Sequence, residues 1–333
     1  MRIPCPTTQR HGFSLIELLV AMALMGVVIL YMMQSFTTQH RTYVLVDQVT
    51  EAQQNLRAVS ELLENDVRAA GFLVPKGAGV CGIDRTTAPD TLFVSNADVI
   101  RTVDSLATVD VNKVAGNLGA PVTVAAGTTL SGASQVLNLT QNWVDVAADG
   151  SDFAIGAGVI LVDTNDTNVR AACGVITAIN GNNVTVDMGP TTLGPTGVYS
   201  QVLAIPAHVY TVNAPAGAPS QLLRDGLALA SDIEDLQVAY FVDANSNRVI
   251  DAGEYQGDGT AANYSAANVN GSQIRELRVD LVMATRDDDP NQLFREGSGQ
   301  ATENRTAASV AGTDGRRRRV HQATLRLRNA RTT

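Results

Sequence analysis

The chain has 333 residues, 45% of them hydrophobic, and is long enough to bury a large core and to form two lobes. Only 17% are charged, while Gly, Thr, Asn, Val and Ala abound, a mixture that favours short strands joined by many turns in a secreted, non-catalytic protein. Net charge is −9, and the four histidines stand beside no cysteine and in no metal-ligand spacing; with no Gly-x-Ser-x-Gly elbow, phosphate-cradling glycine loop or H-E-x-x-H, the enzyme classes marked by those patterns are set aside.

The first predicted element is the apolar run Phe13 to Met33, which carries a single carboxylate, Glu17. About twenty residues at ~1.5 Å rise per residue cross a ~30 Å hydrocarbon core, so the run reads as a membrane helix. Arg2 and Arg10 precede it, whereas Gln34, Ser35 and Thr37 follow. By the positive-inside rule the N-terminus then stays cytoplasmic and the remainder crosses. A charge within such a helix costs about 3 kcal/mol on insertion scales and marks function, unless it lies near enough to the interface to stay hydrated. An ordinary secretory signal would instead be cut after the apolar core, at Ala21 or Ala23.

The order Gly12-Phe13-Ser14-Leu15-Ile16-Glu17 ahead of that run resembles the class III leader of type IV pilins and pseudopilins. The resemblance implies that a prepilin peptidase cuts between Gly12 and Phe13 on the cytoplasmic side and methylates the new N-terminal Phe13. It also implies that Glu17 pairs, in a filament, with the amine of Phe13 on a neighbouring subunit. Glycine at the cut lets the backbone lie unobstructed in a protease cleft, and the basic leader residues hold it at the anionic inner surface. Losing residues 1–12 removes Cys5 and leaves Cys81 and Cys173 where oxidation is permitted, so a disulfide between them is expected, with two buried thiols as the other reading. Closing so long a loop stabilises by roughly 4 to 5 kcal/mol in the chain-entropy model. Loss of Arg2 and Arg10 moves the charge from −9 to −11.

The helix is predicted to continue beyond the membrane. Leu45, Val49, Ala52, Leu56, Val59, Leu63, Val67 and Ala70 recur in steps of three or four, and Gln48, Glu51, Asn55, Glu61 and Glu64 fall on the other face. Gly71, Phe72 and Pro75 supply the stop. A continuous helix over 13–70 would be about 58 residues and roughly 87 Å long, with Gly26 its weak point.

Residues 76 to about 215 show no long helical period. They read as short strands at Thr91 to Val94, Pro121 to Ala125, Val136 to Leu139, Val159 to Val162, Gly174 to Ile179 and Val184 to Met188. Asn180-Gly181 between the last two is a hairpin signal. A β-rich lobe, a partly closed barrel or a sandwich, is expected here, inserted between the helix and a second sheet. Pro206 to Pro219 punctuates the chain, and Leu236 to Val242, Leu277 to Met283 and Ala323 to Leu327 follow as strands. The expected fold is therefore α+β: a long helix packed on an antiparallel head. Its segments are 1–12, 13–71, 72–215 and 216–333.

Two phrases sharpen the resemblance. Ile233-Glu234-Asp235-Leu236-Gln237-Val238, and the ending Arg317-Arg318-Arg319-Val320 with Leu325-Arg326-Leu327-Arg328-Asn329, are similar to PilW-type minor pilins. What this implies is a minor pilin that primes or caps type IV pilus assembly and works with other minor and major pilins, the prepilin peptidase and the assembly machinery. It would sit in the inner membrane with its head in the periplasm, then at the cell surface. A J-type pseudopilin of type II secretion and a pilus-tip adhesin are the alternatives.

One loop carries chemistry of its own. Asp243, Asn245, Asn247, Asp251 and Glu254, with the carbonyl of Val249, occupy positions 1, 3, 5, 9, 12 and 7 of a calcium loop of the EF-hand type. Position 6, usually glycine, is Arg248, and a strand precedes the loop where a helix would be usual. Calcium is the cofactor this pattern suggests; an Asp/Asn-rich hairpin turn is the alternative. The run Arg316 to Arg319 invites a nucleic-acid reading, but no aromatic residues interleave and an acidic head can neutralise it, so nucleic acid is not an expected partner.

Overall fold

The computed structural model describes residues 14–72, 74–96, 120–139, 153–165, 171–196, 201–215, 218–251, 254–256, 271–288, 294–295, 302–303, 305 and 313–328. Within them the chain forms two compact units, Met1–Thr50 and Glu51–Thr333.

The periodicity expected of the first seventy residues is realised as one helix, α1 (Leu15–Ala69). Gly26 does not break it: the helix runs through that position, where a lone glycine costs only about 1 kcal/mol relative to alanine. It ends where Gly71 adopts φ 78°, a left-handed conformation that costs a residue without Cβ little, and the Gly71 N–H turns away to the carbonyl of Ser95. Leu56, Val59, Leu63 and Val67 are the buried stripe of its second half.

The strands follow in order: β1 (Val80–Ile83), β2 (Thr91–Val94), β3 (Ala120–Val122), β4 (Leu130–Ser131), β5 (Gln135–Asn138), β6 (Gly158–Asp163), β7 (Ala171–Asn180), β8 (Asn183–Asp187) and β9 (Thr192–Leu193). Then come β10 (Val202–Asn213), β11 (Gln221–Arg224), β12 (Leu227–Ser231), β13 (Ile233–Val242), β14 (Tyr255–Gln256), β15 (Ile274–Ala284), β16 (Phe294–Arg295), β17 (Thr313–Asp314) and β18 (Arg318–Arg326). The two-residue turn between β7 and β8 has Gly181 at φ 59°, so the Asn-Gly signal marks a real hairpin.

The inserted lobe is a small barrel. Neighbours run β10-β6-β7-β8-β5. The bridge Val122 to Leu139 brings β3 against the end of β5, and β3 pairs back onto β10 to close the ring. Its filling is a separate apolar cluster that includes Leu137, Phe153, Leu161, Ile176, Val186, Met188 and Val202. Strand β6 is buried along its whole length because Val159 and Leu161 face this interior while Ile160 and Val162 face the main core. That is why its sequence is a continuous apolar run rather than an alternation.

The long strand β10 joins two parts of one ten-stranded sheet. Residues 202–204 pair with β3 and residues 202–207 with β6, whereas residues 208–210 pair with β2 and residues 210–213 with β11. Pro206, part of a stretch that reads as punctuation in the sequence, lies in the middle of it. The reason is local. The ladder on one side ends at Ala204 and resumes at His208, and the Pro206 carbonyl faces that gap, where it accepts the Ser95 hydroxyl at 2.6 Å. In an antiparallel strand the N–H and C=O of one residue point the same way, so a donor is dispensable where no neighbouring strand runs.

The second sheet, β14-β13-β15-β18, is antiparallel throughout. Leu236, Val238, Tyr240, Leu277, Val279, Leu281 and Leu325 form one core with Leu56, Leu63 and Val67 of α1 and with Phe93, Ile160 and Ile205 of the larger sheet. The helix therefore packs on an antiparallel head, as the alternation in these strands leads one to expect.

Candidate functional site

The start of α1 holds the first candidate residues. Ser14 precedes the helix, and its N–H donates to Glu17 Oε2 at 3.1 Å while its carbonyl accepts the Leu18 N–H. This is one half of a capping box, with the third helical residue reaching back to the N-cap. The pattern Ser-x-x-Glu was present in the sequence as a local signal for it. Gly12 and Phe13 lie outside the described residues. Beyond Glu17 the helix is apolar and uncovered: an 18-residue window reaches a mean hydropathy of 2.5 with none of it buried, and Leu15 and Leu30 are 78% and 70% exposed. Such a surface suits lipid or other apolar helices.

The second half of α1 is latched to the head by polar contacts. Asp66 accepts the Tyr210 hydroxyl at 2.5 Å and the Arg224 guanidinium at 2.7 Å on the same oxygen, so one helix carboxylate holds β10 and β11. On its edge Glu51 meets Arg286 at 3.1 Å. Sequence periodicity places Asp66 beside the buried Val67 but says nothing of what it would find there.

Cys81 and Cys173 form the expected disulfide, S–S 2.02 Å with the Cα atoms 6.1 Å apart. It ties β1 to β7, and neither residue has exposed surface.

The Asp243 loop is wound tightly on its own hydrogen bonds. Asp243, fully buried, accepts the N–H of Asn247 on Oδ1, and on Oδ2 the N–H of Arg248 and the Arg275 guanidinium. Burial opposes its ionisation, but these donors, Arg275 foremost, hold the carboxyl below the usual range. Asn245 accepts from Asn247 N–H, and Asn247 from Val249 N–H. Both amide groups donate to Asp251 Oδ2, and Glu254 accepts the N–H of Asn245 and of Asp251. Arg248 takes φ 70°, the sharp turn that position 6 of a calcium loop demands. Among the described residues no three of His, Cys, Asp or Glu converge to hold a metal ion, so any ligand set here needs the Asn oxygens and the Val249 carbonyl as well.

Two members of the arginine run, Arg316 and Arg318, are paired inside the head. Arg316 bonds Asp232 and Glu234, both at 2.9 Å, and Arg318 bonds Glu234 and Asp314, both at 2.6 Å. The hydrogen bond from Arg318 is the main cause that holds the Asp314 carboxyl below its ordinary value. Acidic residues eighty positions earlier in the chain neutralise cations that stand together in the sequence.

Residues 209–329 match the family model for type IV pilus-assembly protein W, and residues 7–33 match the prokaryotic N-terminal methylation motif. The first match begins within β10, past most of the barrel, and runs through the second sheet. Among solved structures the chain is similar to the type IV-like pilin TTHA1219 from Thermus thermophilus, at 12% identity and TM-score 0.30, over 84% of this chain and 96% of that one. No curated protein matches the chain.

Proposed function

We propose that this chain, a PilW-type type IV pilin by the signatures at its two ends, enters a filament through α1 as a minor subunit and primes or caps its assembly. The apolar helix and the leader motif anchor it in a membrane before it is incorporated. The observation that carries the reading is the uncovered apolar half of α1 with Glu17 as the carboxylate of its first turn. In this proposal a prepilin peptidase cuts between Gly12 and Phe13, the N-terminus faces the cytoplasm and the head the periplasm. The role is structural, with other pilins as partners.

Glu17 has two tasks in this reading. Oε2 closes the helix start through Ser14, and the carboxylate draws the positively charged amine of a neighbouring Phe13. Burying that pair together offsets part of the cost of carrying a lone charge into an apolar bundle. Glu17→Ala is expected to be cut and inserted normally, with a folded, disulfide-bonded head, and to be missing from sheared filaments on an immunoblot. Incorporation at the wild-type level would refute the pairing role.

The calcium reading of residues 243–254 is favoured by one observation, the positive φ of Arg248. A calcium loop requires a sharp backbone turn at its sixth position, where glycine is usual and Arg248 takes it at a steric cost. Bound calcium would rigidify the connection from β13 to β14, with Asp243, Asn245, Asn247, Val249, Asp251 and Glu254 as its oxygen donors.

A further inference from the structure

Five arginines outside the internal ion-pair cluster meet elsewhere on the head. Arg68 from the last turn of α1, Arg248 from the loop after β13, Arg275 from β15, and Arg326 and Arg328 from the end of β18 line one open pocket of about 720 Å3. Thr324 and Leu327 line it too, and among the described residues no carboxylate does. This is a concentration of positive charge in a chain whose net charge is −9.

Its cations are only partly answered by the protein. Arg68 leans on Glu64 at 2.9 Å, and Arg326 reaches Glu276 at 4.0 Å. Asp243 orients two members at once, since its Oδ2 accepts from the Arg275 guanidinium at 3.2 Å and from the main-chain N–H of Arg248 at 3.0 Å. Among the described residues Arg248 and Arg328 pair with no carboxylate. Arg248 and Arg328 therefore leave positive charge at the concavity that an entering anion would neutralise.

We propose that this pocket binds the phosphate of a phosphomonoester. Such a group is a dianion near neutral pH with three terminal oxygens, and each oxygen can take paired N–H bonds from an arginine fork. A carboxylate carries one charge, whereas Arg248 and Arg328 leave two to be neutralised. The cavity exceeds the size of a phosphate ion, so the organic part of the ester enters too, beside Thr324 and Leu327. Nucleic acid fits less well: its phosphates are diesters of single charge, and among the described residues no aromatic side chain lines the pocket to stack a base. The inference does not depend on the filament role.

The test uses the full chain in a non-ionic detergent, titrated calorimetrically with glycerol 3-phosphate and, below its micelle concentration, with dihexanoyl phosphatidic acid. Saturable binding of a monoester is expected, and Arg248→Ala with Arg328→Ala should weaken it at least about tenfold. Both side chains are exposed, so this variant keeps the fold. Arg319→Ala, exposed and outside the lining, should change it by less than about twofold. Tighter binding of the phosphatidic acid identifies a lipid headgroup as the source, and equal binding a soluble ester; both support the site. Absence of saturable binding by either monoester, or an equal loss in Arg319→Ala, overturns it. Preference for a single-stranded oligonucleotide over both monoesters overturns it in favour of nucleic acid.

Discussion

The Tyr210 hydroxyl donates to Asp66 at 2.5 Å across 144 positions of sequence, which fastens the helix to the strand shared by both parts of the large sheet. Burial, with the nearby Asp66 charge next, pushes the Tyr210 phenol above its ordinary value, so it remains a donor throughout the physiological range. Tyr210→Phe removes one hydrogen bond to a charged acceptor and is expected to cost about 1.5 to 3 kcal/mol in urea unfolding. Asp66→Ala should cost at least as much, because it leaves a buried phenol and the Arg224 guanidinium without their acceptor. The double variant should fall short of the sum, and strict additivity would show that the pair is not coupled.

The disulfide joins two strands of one sheet across a separation of 92 residues. Replacing Cys81 and Cys173 together by Ala is expected to lower unfolding stability by roughly 2 to 5 kcal/mol, the loss of a long-loop crosslink. Since neither cysteine has exposed surface, dithiothreitol should leave the wild-type bridge intact without urea and cleave it quickly in urea. Mass spectrometry after alkylation reads both outcomes, and rapid reduction of the native protein would contradict the burial.

Asp90 ties β2 to β13: Oδ1 accepts the Arg85 N–H at 2.7 Å and Oδ2 the Val238 N–H at 2.8 Å. Burial, followed by repulsion from Asp84, pushes its carboxyl up to about 8. A folded value above the unfolded one means that the folded protein keeps a proton which the unfolded chain releases. Stability from this group is therefore full below about pH 4 and is lost as pH rises towards 8, at no more than about 1.4 kcal/mol per pH unit. Asp90→Asn should be less stable at low pH yet lack this component, so the difference between the two proteins narrows from pH 4 to 8. A difference that stays constant over that range would show that Asp90 does not titrate there.

In the Asp243 loop, calcium and Arg275 would share one carboxylate. If calcium binds, titration into the metal-free protein should release or take up heat with saturation, and Glu254→Gln should weaken it by roughly tenfold or more. Asp251→Asn should weaken it as well. A flat titration, with a melting temperature that calcium does not change, would leave the loop as a turn held by its own amides.

Much of the architecture is written locally. The apolar run, the three-four periodicity and Gly71 mark α1, because helix formation depends on residues only a turn away. Thr91 to Val94 coincides with β2, and Val159 to Val162 lies within β6, because a short branched run bounded by turn residues has few other uses. Strand β10 was harder to see, since Pro206 breaks the usual rule for a central strand. It is tolerated only because β3 ends and β2 begins beside it, which is a fact about two distant segments.

The same division holds for the functional residues. As candidates, Gly12, Phe13 and Glu17 are singled out by their order along the chain, and Asp243 to Glu254 by a spacing within one loop, so inspection of the residues suffices. The arginines do not follow that rule. Arg316 and Arg318 look like a free basic run but are neutralised by Asp232, Glu234 and Asp314, while Arg68, Arg248, Arg275, Arg326 and Arg328, scattered over 260 positions, share one pocket. Electrostatic energy depends on distance through space and on burial, neither of which is a property of neighbouring letters. Which cations pair with acids and which gather around one concavity is therefore decided by how the second half of the helix, the barrel and the second sheet pack.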